Sequence, residues 1–278
     1  MTQSQVILIT GASDGFGHLA AEKLLAKGHV VYATARRVDR MRDLQQQGAQ
    51  TLHLDVTDTA EVQRVVSQII AEQGRIDVLV NNAGFGQYGV VEAVSEDQLK
   101  YQFDVNVFGM HRLQQAVLPH MRDRQSGKII NLASIVSHVS APLLGWYAAT
   151  KHAIKGMTEA LRMEVRDLGI DVVAIEPGAV RTGFEAVAFA SMETLDTPAD
   201  YDPLIEGMSN ATRNMYASSP GPQSTARAIV RAVQARRPKA VYKTTPDSHI
   251  LPRLKRLIGD RRYGALNLWM ARRTLKRS

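Results

Sequence analysis

Tyr147 and Lys151 are two side chains that can exchange or steer a proton, and they lie four residues apart. The surrounding segment, 146–165, has a helical period, so this spacing puts both side chains on one face of a helix. A phenol is a poor base at neutral pH because its unperturbed pKa is about 10. A neighbouring ammonium group favours the phenolate and lowers that pKa. The pair therefore indicates acid–base chemistry, and the alternative is a common exposed helix pair.

The elements that must position this pair can be read from the alternation of short apolar runs with helix-length amphipathic segments. The apolar runs cover 6–9, 30–33, 51–54, 78–80, 128–132 and 172–175. Strands that alternate with helices predict an α/β fold, in which a doubly wound parallel sheet of Rossmann type carries helices on both faces. Sheets of this kind bind ligands at the carboxyl ends of their strands.

A glycine-rich segment, Thr-Gly-Ala-Ser-Asp-Gly-Phe-Gly at 10–17, follows the first apolar run and opens the first helical segment. Its glycines permit a tight turn and a close approach of the backbone to a pyrophosphate, which the free N–H groups and the helix dipole attract. An ordinary glycine-rich turn is the alternative. The residues predicted to bind the dinucleotide here are Gly11, Ser13, Asp14, Gly15, Phe16 and Gly17.

The second apolar run leads into Arg36 and Arg37, with no acidic residue before Asp39. An NAD site places an acid at this point to bind the ribose hydroxyls, whereas an NADP site places an arginine that pairs with the 2′-phosphate. A guanidinium matches a phosphate in charge and in geometry. The sequence therefore favours NADP(H), and the alternative is that both arginines are a solvated strand end.

Five short motifs follow one another in order: Thr-Gly-x-x-x-Gly-x-Gly at 10–17, Asn-Asn-Ala-Gly at 81–84, Ser134, Tyr-x-x-x-Lys at 147–151 and Pro-Gly at 177–178. In this order and spacing they resemble the classical short-chain dehydrogenase/reductase family over about residues 5–183. The resemblance implies a single Rossmann-type domain with a seven-stranded parallel sheet. Taken singly, each motif has a structural explanation, and their joint order is what makes the resemblance specific.

The resemblance also implies catalytic roles. Tyr147 would be the general acid/base that exchanges a proton with the substrate oxygen. Ser134 would hydrogen-bond the same oxygen, and Lys151 would bind the nicotinamide ribose and lower the pKa of Tyr147. Asn106 matches the helix asparagine that holds a water in the proton relay of the family. A strand-end hydroxyl and a buried amide are the structural alternatives for Ser134 and Asn106.

Further cofactor contacts follow from the same resemblance. Asp55 and Val56 would lie beside the adenine, and the segment after the sixth apolar run would orient the nicotinamide carboxamide. The remaining positions expected to bind the cofactor, besides Tyr147 and Lys151, are Asn82, Ala83, Gly84, Pro177, Gly178, Val180 and Thr182.

The chain is expected to form one domain over 1–278, with two regions that lie outside the motifs. Segment 184–222 shows no clean period and is interpreted as a substrate lid. Segment 237–278 is a basic extension: the chain carries a formal charge of +7, yet from residue 236 onward there are 13 Lys/Arg against 2 Asp/Glu. The body is therefore slightly acidic, which argues against a basic groove for nucleic acid.

The extension has two interpretations, since its apolar and basic residues alternate in patches. It can be a terminal helix that packs on its own domain or on a partner subunit, or a helix that touches a membrane surface. The C-terminal region resembles the part of the family that includes hydroxysteroid, retinol and acyl-dihydroxyacetone-phosphate reducing enzymes. The resemblance further implies a homodimer or homotetramer, and we expect no nucleic-acid partner.

The substrate is expected to be a small apolar ketone or secondary alcohol of steroid, retinoid or lipid type, because the residues predicted to line its site are mostly apolar. Those in the lid are Phe184, Val187, Phe189, Met192 and Met208. The chain has no cysteine, and its histidines form no ligand pattern, so we expect no metal site. No apolar run is long enough to span a membrane, and a cytoplasmic location is expected.

Together these features predict an NADP(H)-dependent oxidoreductase that moves a hydride between the nicotinamide and a carbonyl or CH–OH carbon. The alternative is a regulator or sensor that binds NADP(H) on the same fold without turnover. The complete set of Ser134, Tyr147, Lys151 and Asn106 argues against the sensor, because a sensor does not need a phenol beside an ammonium group.

Overall fold

A seven-stranded parallel sheet forms the centre of the computed structural model, which describes residues 4–275. The strand order is β3-β2-β1-β4-β5-β6-β7, and all six neighbouring pairs are parallel. The strands are β1 (Val6–Thr10), β2 (Val30–Ala35), β3 (Gln50–His53), β4 (Val78–Asn81), β5 (Gly127–Leu132), β6 (Ile170–Glu176) and β7 (Val241–Lys243). The predicted Rossmann-type sheet is confirmed, and its first six strands coincide with the six apolar runs.

Helices cover both faces of the sheet. They are α1 (Gly15–Leu25), α2 (Arg42–Gln46), α3 (Thr59–Gln73), α4 (Glu96–Phe103), α5 (Gly109–Asp123), α6 (Gly145–Glu164), α7 (Phe184–Glu193), α8 (Asp202–Ser218), α9 (Gln223–Gln234) and α10 (Pro246–Leu275). One apolar cluster joins the sheet to α1, α2 and α9, and a second joins it to α3 and α5. Because both faces are covered, all five residues of β1 are buried.

The order of the strands reverses beside β1. The chain proceeds outward from β1 to β3, then returns to β4 on the other side of β1 and continues to β7. The segments that follow β1 and β4 therefore lead toward opposite edges of the sheet, and the crevice between them is where open α/β sheets bind their ligands.

Segment 184–222 is more regular than expected. It contains α7 and α8, whereas the sequence suggested a stretch without periodic structure. The pattern of α7, Phe-Glu-Ala-Val-Ala-Phe-Ala-Ser-Met-Glu, is apolar on most of its surface, so it has no alternation that would reveal a helix. A lid role for this segment remains a prediction.

The C-terminal region is an integral part of the fold as far as residue 275, and residues 276–278 lie outside the described chain. Its first part supplies β7, which pairs with β6 at the sheet edge. Its second part, α10, is broken at Gly259, whose φ of 78° interrupts the helical backbone. Beyond the break α10 packs on α8, where the Thr274 hydroxyl donates to the carbonyl of Gly207 over 2.7 Å.

This packing agrees with the interpretation of a terminal helix that lies on its own chain. Tyr263 and Ala271 are the apolar residues of α10 that are buried, whereas Leu257 is 84% exposed and Trp269 is 53% exposed. Among residues 4–275, none of the helices has the length and apolar character that a membrane span requires. The same residues contain no cluster of His, Asp and Glu side chains arranged to hold a metal ion.

Candidate active site

Ser134 and Tyr147 come together at the carboxyl end of β5. Ser134 caps a 3₁₀ turn there: its hydroxyl accepts from the backbone N–H of Val136 over 3.3 Å and donates to the carbonyl of Pro177 over 3.5 Å. Tyr147 lies in the first turn of α6, and its hydroxyl interacts with that of Ser134. The two hydroxyls thus lie close together.

Lys151 lies one turn further along α6 and is buried. Its Nζ donates to the carbonyl of Leu132 over 2.7 Å and lies 5.7 Å from the centre of the Tyr147 ring. Burial lowers the pKa of Lys151 to about 8, so the ammonium group is mostly charged at neutral pH. A positive charge therefore lies beside the phenol, as the spacing predicted.

Two effects favour the neutral form of the Tyr147 phenol. Burial raises its pKa, the hydroxyl of Tyr216 raises it further, and the interaction with Ser134 lowers it without cancelling them. At neutral pH the phenol therefore keeps its proton, which is the state needed to protonate the oxygen of a ketone.

Asn106 lies in a π-helical turn, Asp104–Phe108, between α4 and α5. Its Oδ1 accepts from the N–H of Phe85 over 3.0 Å, and its Nδ2 donates to the carbonyl of Phe85 over 2.8 Å. Nδ2 also lies 3.3 Å from the hydroxyl of Thr150, which donates to the carbonyl of Tyr147. Asn106 therefore fixes the loop after β4 and connects it to the helix that carries Tyr147.

The glycine loop after β1 packs tightly against the end of β4. A Cβ on Gly11, whose φ is +65°, would lie 2.8 Å from the Cα of Ala83, and a Cβ on Gly17 would lie 2.5 Å from Nδ2 of Asn82. Nδ2 of Asn82 donates to the carbonyls of Thr10 and Gly11, over 2.9 Å in each case. Asn82, one of the residues predicted to bind the cofactor, therefore holds the glycine loop in its conformation.

The start of α1 leaves room for an anion. Asp14 caps the helix by accepting from the N–H of Gly15 over 2.6 Å, and Ser13 is partly exposed. The ring of Phe16 packs against the apolar core. A Cβ on Gly15 would meet only the side chain of Thr182, with Cγ2 at 3.8 Å. The loops after β1 and β6 therefore face each other at this position. These features fit the pyrophosphate of a dinucleotide.

Arg36 and Arg37 are exposed at the end of β2. Nη1 of Arg36 donates to the hydroxyl of Tyr101 over 2.6 Å. Burial opposes ionisation of the nearby Asp55 carboxyl, but hydrogen bonds from Thr57 and the charge of Arg36 outweigh it and lower the pKa of Asp55. The arginines and Asp55 thus lie at one edge of the crevice, and their neighbour Val56 is buried.

The loop after β6 is held by two residues that the sequence analysis did not identify. The N–H of Gly178 donates to the Thr245 hydroxyl, and the N–H of Ala179 donates to Oδ2 of Asp247, both over 2.8 Å. A Cβ on Gly178 would collide with the Asp247 carboxylate. Both residues lie in the basic extension and carry no motif that would have indicated them.

The remaining cofactor positions in this loop lie between β6 and α7. Pro177 supplies a carbonyl to Ser134 and to the N–H of Ile135, the latter over 2.7 Å. Val180 is buried, and the hydroxyl of Thr182 accepts from the N–H of Phe184 at the start of α7 over 3.2 Å. The loop therefore connects the Ser134 turn to α7.

Aromatic side chains cover Tyr147. The ring of Phe184 lies 5.3 Å from that of Tyr147, and the ring of Tyr88 lies 6.3 Å from it. Phe189 packs edge-on against Tyr88 at 5.8 Å, and the hydroxyls of Tyr88 and Tyr216 lie 3.2 Å apart. We call the four residues around Tyr147, namely Tyr88, Phe184, Phe189 and Tyr216, the aromatic cover.

The other predicted lid residues are placed differently. Met192 and Met208 pack in a cluster with Val90 and Leu143, and Val187 is 53% exposed. Tyr216 and Glu185 were not identified from the sequence, because a single tyrosine and a single glutamate in helices carry no distinctive spacing. Tyr216 belongs to the aromatic cover, and Glu185 directly follows Phe184 in the chain.

Comparison with known proteins identifies the family. The model for short chain dehydrogenases matches residues 5–193, which is more than half of the chain. With its Rossmann-type sheet and the arrangement of Ser134, Tyr147 and Lys151, the chain belongs to the short-chain dehydrogenase family. It is an oxidoreductase of the type that acts on CH–OH groups.

Two relatives illustrate the similarity. The chain is 44% identical over 186 residues to a 3-ketodihydrosphingosine reductase of Bacteroides thetaiotaomicron, a match that covers 66% of each protein. It is 31% identical over 264 residues to an NADPH-dependent 3-dehydrocapnine reductase of Ornithobacterium rhinotracheale, covering 91% of this chain and 93% of the relative.

Solved structures support a nicotinamide cofactor. A short-chain dehydrogenase from Streptomyces avermitilis superimposes with a TM-score of 0.81 at 33% identity, covering 93% of this chain and 94% of its own. A serine dehydrogenase complexed with NADP⁺ gives a TM-score of 0.76 at 27% identity, covering 87% and 95%. A short-chain dehydrogenase from Burkholderia phymatum complexed with NAD gives 0.79 at 26%, covering 92% and 94%.

Proposed function

We propose that the protein is an NADP(H)-dependent reductase of apolar ketones that also oxidises the corresponding secondary alcohols. The observation that carries this proposal is the site at the carboxyl end of β5, where Ser134 and the neutral phenol of Tyr147 meet beside the ammonium of Lys151. The aromatic cover makes this site apolar, which suits a hydrophobic substrate. The names of the two relatives describe reductases, one with a 3-keto compound and one with NADPH.

In this proposal the chain contributes proton transfer and orientation. Tyr147 donates its phenolic proton to the carbonyl oxygen during reduction and takes a proton from the alcohol during oxidation. Ser134 hydrogen-bonds the same oxygen and holds it at the phenol. Lys151 stabilises the phenolate that forms when the proton leaves. When bound, the nicotinamide supplies or accepts the hydride at the substrate carbon.

The proposed cofactor site follows the crevice between β1 and β4. The glycine loop and the start of α1 would hold the pyrophosphate, Asp55 and Val56 the adenine, and Lys151 with Tyr147 the nicotinamide ribose. The other proposed contacts are Ala83, Gly84, Pro177, Gly178, Val180 and Thr182.

The preference for NADP(H) rests on Arg36 and Arg37. Both guanidinium groups are exposed at the end of β2, and Arg36, which donates to Tyr101 through Nη1, has further N–H groups that can pair with a 2′-phosphate. Asp39, the first acid that follows, lies beyond both arginines in a 3₁₀ turn. The position used by a ribose-binding acid therefore holds a cation.

A homodimer or homotetramer is the assembly we propose. Phe108, at the start of α5, is 51% exposed, and Met163 on α6 is 72% exposed. These helices are the ones through which the family resemblance predicts contact between subunits. Exposed apolar side chains on them support that arrangement, because contact with a second copy would bury them.

The proposal is tested by NADPH consumption across a panel of apolar ketones, with Tyr147→Phe as the control variant. We expect the native protein to reduce several members and the variant to lose about 10²- to 10⁴-fold in kcat, the usual contribution of a general acid. Fluorescence titration should show that the variant still binds NADPH. Full activity of the variant would overturn the mechanism, and tight NADPH binding without turnover on any ketone would favour the sensor.

A further inference from the structure

The outer side of α10 combines apolar and cationic side chains in solvent. In the part before the break at Gly259, Ile250 and Leu257 are exposed and lie seven residues apart, which places them on one side of the helix. Arg253 lies between them on the same side and is also exposed. Two large apolar side chains are therefore held in solvent next to a guanidinium group.

The part of α10 after the break repeats this arrangement. Three residues at intervals of four are buried and form the side that faces the protein, namely Tyr263, Asn267 and Ala271. The opposite side carries exposed apolar and cationic residues, namely Arg261, Arg262, Leu268, Trp269 and Arg272. The guanidinium of Arg273 stacks on the Trp269 ring at 5.1 Å. Both parts of the helix thus present the same mixture to solvent.

The charge of α10 is strongly positive. Its basic residues are Arg253, Lys255, Arg256, Arg261, Arg262, Arg272 and Arg273. The acidic residues are Asp247, which accepts from the N–H of Ala179, and Asp260, which lies 3.4 Å from Nζ of Lys255. Among the residues that the structure describes, none of the arginines of α10 forms an ion pair. The outer side of α10 therefore suits an anionic partner.

The inner side of α10 packs against the proposed active site. Nζ of Lys255 donates over 3.4 Å to the carbonyl of His138, the residue that ends the Ser134 turn. Three apolar residues of α10 belong to the same cluster as Tyr147, namely Leu251, Ile258 and Tyr263. One helix thus has its inner side at the catalytic turn and its outer side in solvent.

We propose that the outer side of α10 docks the protein on the surface of an anionic lipid bilayer. The exposed Ile, Leu and Trp side chains enter the boundary between headgroups and acyl chains, and the arginines contact the lipid phosphates. Tryptophan in particular prefers this boundary, because its ring is apolar and its N–H is polar. Docking places the catalytic turn close to the layer in which apolar molecules dissolve.

A second copy of the chain is a less suitable partner for this surface. Two α10 helices that met through their outer sides would bring their arginines together, and like charges that face each other weaken an interface. Lipid phosphates instead pair with guanidinium groups through charge-assisted hydrogen bonds. An anionic lipid surface therefore satisfies the apolar and the cationic residues of α10 together.

Flotation of the full chain with lipid vesicles tests the docking. We expect the protein to bind vesicles of phosphatidylcholine and phosphatidylglycerol in equal parts at low salt. Binding should be at least tenfold weaker to phosphatidylcholine alone, and also to the anionic vesicles at high salt, because salt screens exposed charges. The double variant Leu257→Ser, Trp269→Ser should raise the apparent Kd for the anionic vesicles at least tenfold, since fewer apolar side chains enter the bilayer.

Fluorescence gives a second measurement of the same contact. The chain has two tryptophans, so Trp146→Phe leaves Trp269 as the single reporter. Its emission should move to shorter wavelengths when anionic vesicles are added, because the ring leaves water. An emission maximum that stays unchanged while the protein floats with the vesicles would place the contact elsewhere and overturn the inference.

Matched charge variants separate docking by α10 from a general effect of charge. Arg261→Gln with Arg272→Gln should weaken binding to the anionic vesicles about tenfold. Arg40→Gln with Arg42→Gln removes two exposed charges in the segment after β2 and should change nothing. Equal losses in the two double variants, equal binding to both kinds of vesicle, or no vesicle binding would overturn the inference. If no vesicles bind and Leu257→Ser, Trp269→Ser lowers the mass in analytical ultracentrifugation, the surface contacts a second copy instead.

Discussion

The crevice between the strand ends and the aromatic cover above it are built by different means. In the crevice the main chain decides the shape: Gly11 and Gly17 let the loop after β1 approach the end of β4, and Asn82 bonds to main-chain carbonyls. In the aromatic cover, side chains from distant parts of the chain decide the shape, since Tyr88 and Tyr216 are 128 residues apart.

This difference explains why the crevice can be recognised from the sequence and the aromatic cover cannot. A loop that must pass close to another backbone admits only glycine, so it leaves a fixed motif. An apolar cover needs only side chains of suitable volume, which many combinations supply. The proposed cofactor site can therefore be recognised from sequence motifs. The proposed substrate site can be recognised only from the apolar composition of its segments.

The crevice should be most sensitive at the two arginines that we propose to bind a 2′-phosphate. Replacing both Arg36 and Arg37 by alanine should raise the Kd for NADPH about 100-fold, because hydrogen bonds to charged groups contribute about 1.5–3 kcal/mol each. The Kd for NADH should change little. Fluorescence titration of both cofactors measures this, with Arg40→Ala as a control for loss of a nearby exposed charge. Equal losses for the two cofactors would contradict pairing with the phosphate.

The loop after β6 connects the crevice to the aromatic cover, and Asp247 supports this loop. Asp247→Ala removes the acceptor for the N–H of Ala179 and should lower the free energy of unfolding by about 2 kcal/mol. NADPH binding should weaken as well, because the loop after β6 loses its support. Urea unfolding and cofactor titration check both effects. Asp260→Ala, which alters an exposed ion pair with Lys255, should leave both unchanged; equal effects of the two variants would disprove the bracing role.

The cover should respond least to a single change. Tyr88→Phe removes the bond between the hydroxyls of Tyr88 and Tyr216 and should lower the free energy of unfolding by about 1 kcal/mol. Tyr216→Phe and the double variant complete a double-mutant cycle in urea unfolding. Strictly additive effects of the two substitutions would show that the hydroxyl pair contributes nothing to stability.

Much of the fold and the centre of the site could be predicted from the sequence. The six apolar runs are strands, and the four-residue spacing does place Nζ of Lys151 5.7 Å from the centre of the Tyr147 ring. The strand β7 and the helices α7 and α8 were not recognised. β7 has only three residues, too few to show a period, and α7 is apolar on most of its surface.

The sequence by itself determined six of the seven strands, the glycine loop and the pairing of Tyr147 with Lys151, because local backbone geometry and helical spacing fix these features within a few residues. Only the tertiary structure decided that Thr245 and Asp247 hold the loop after β6, that the basic extension forms a strand and a packed helix, and that the hydroxyls of Tyr88 and Tyr216 meet. These contacts join residues far apart in the chain, and their side chains meet only when the helices pack on the sheet.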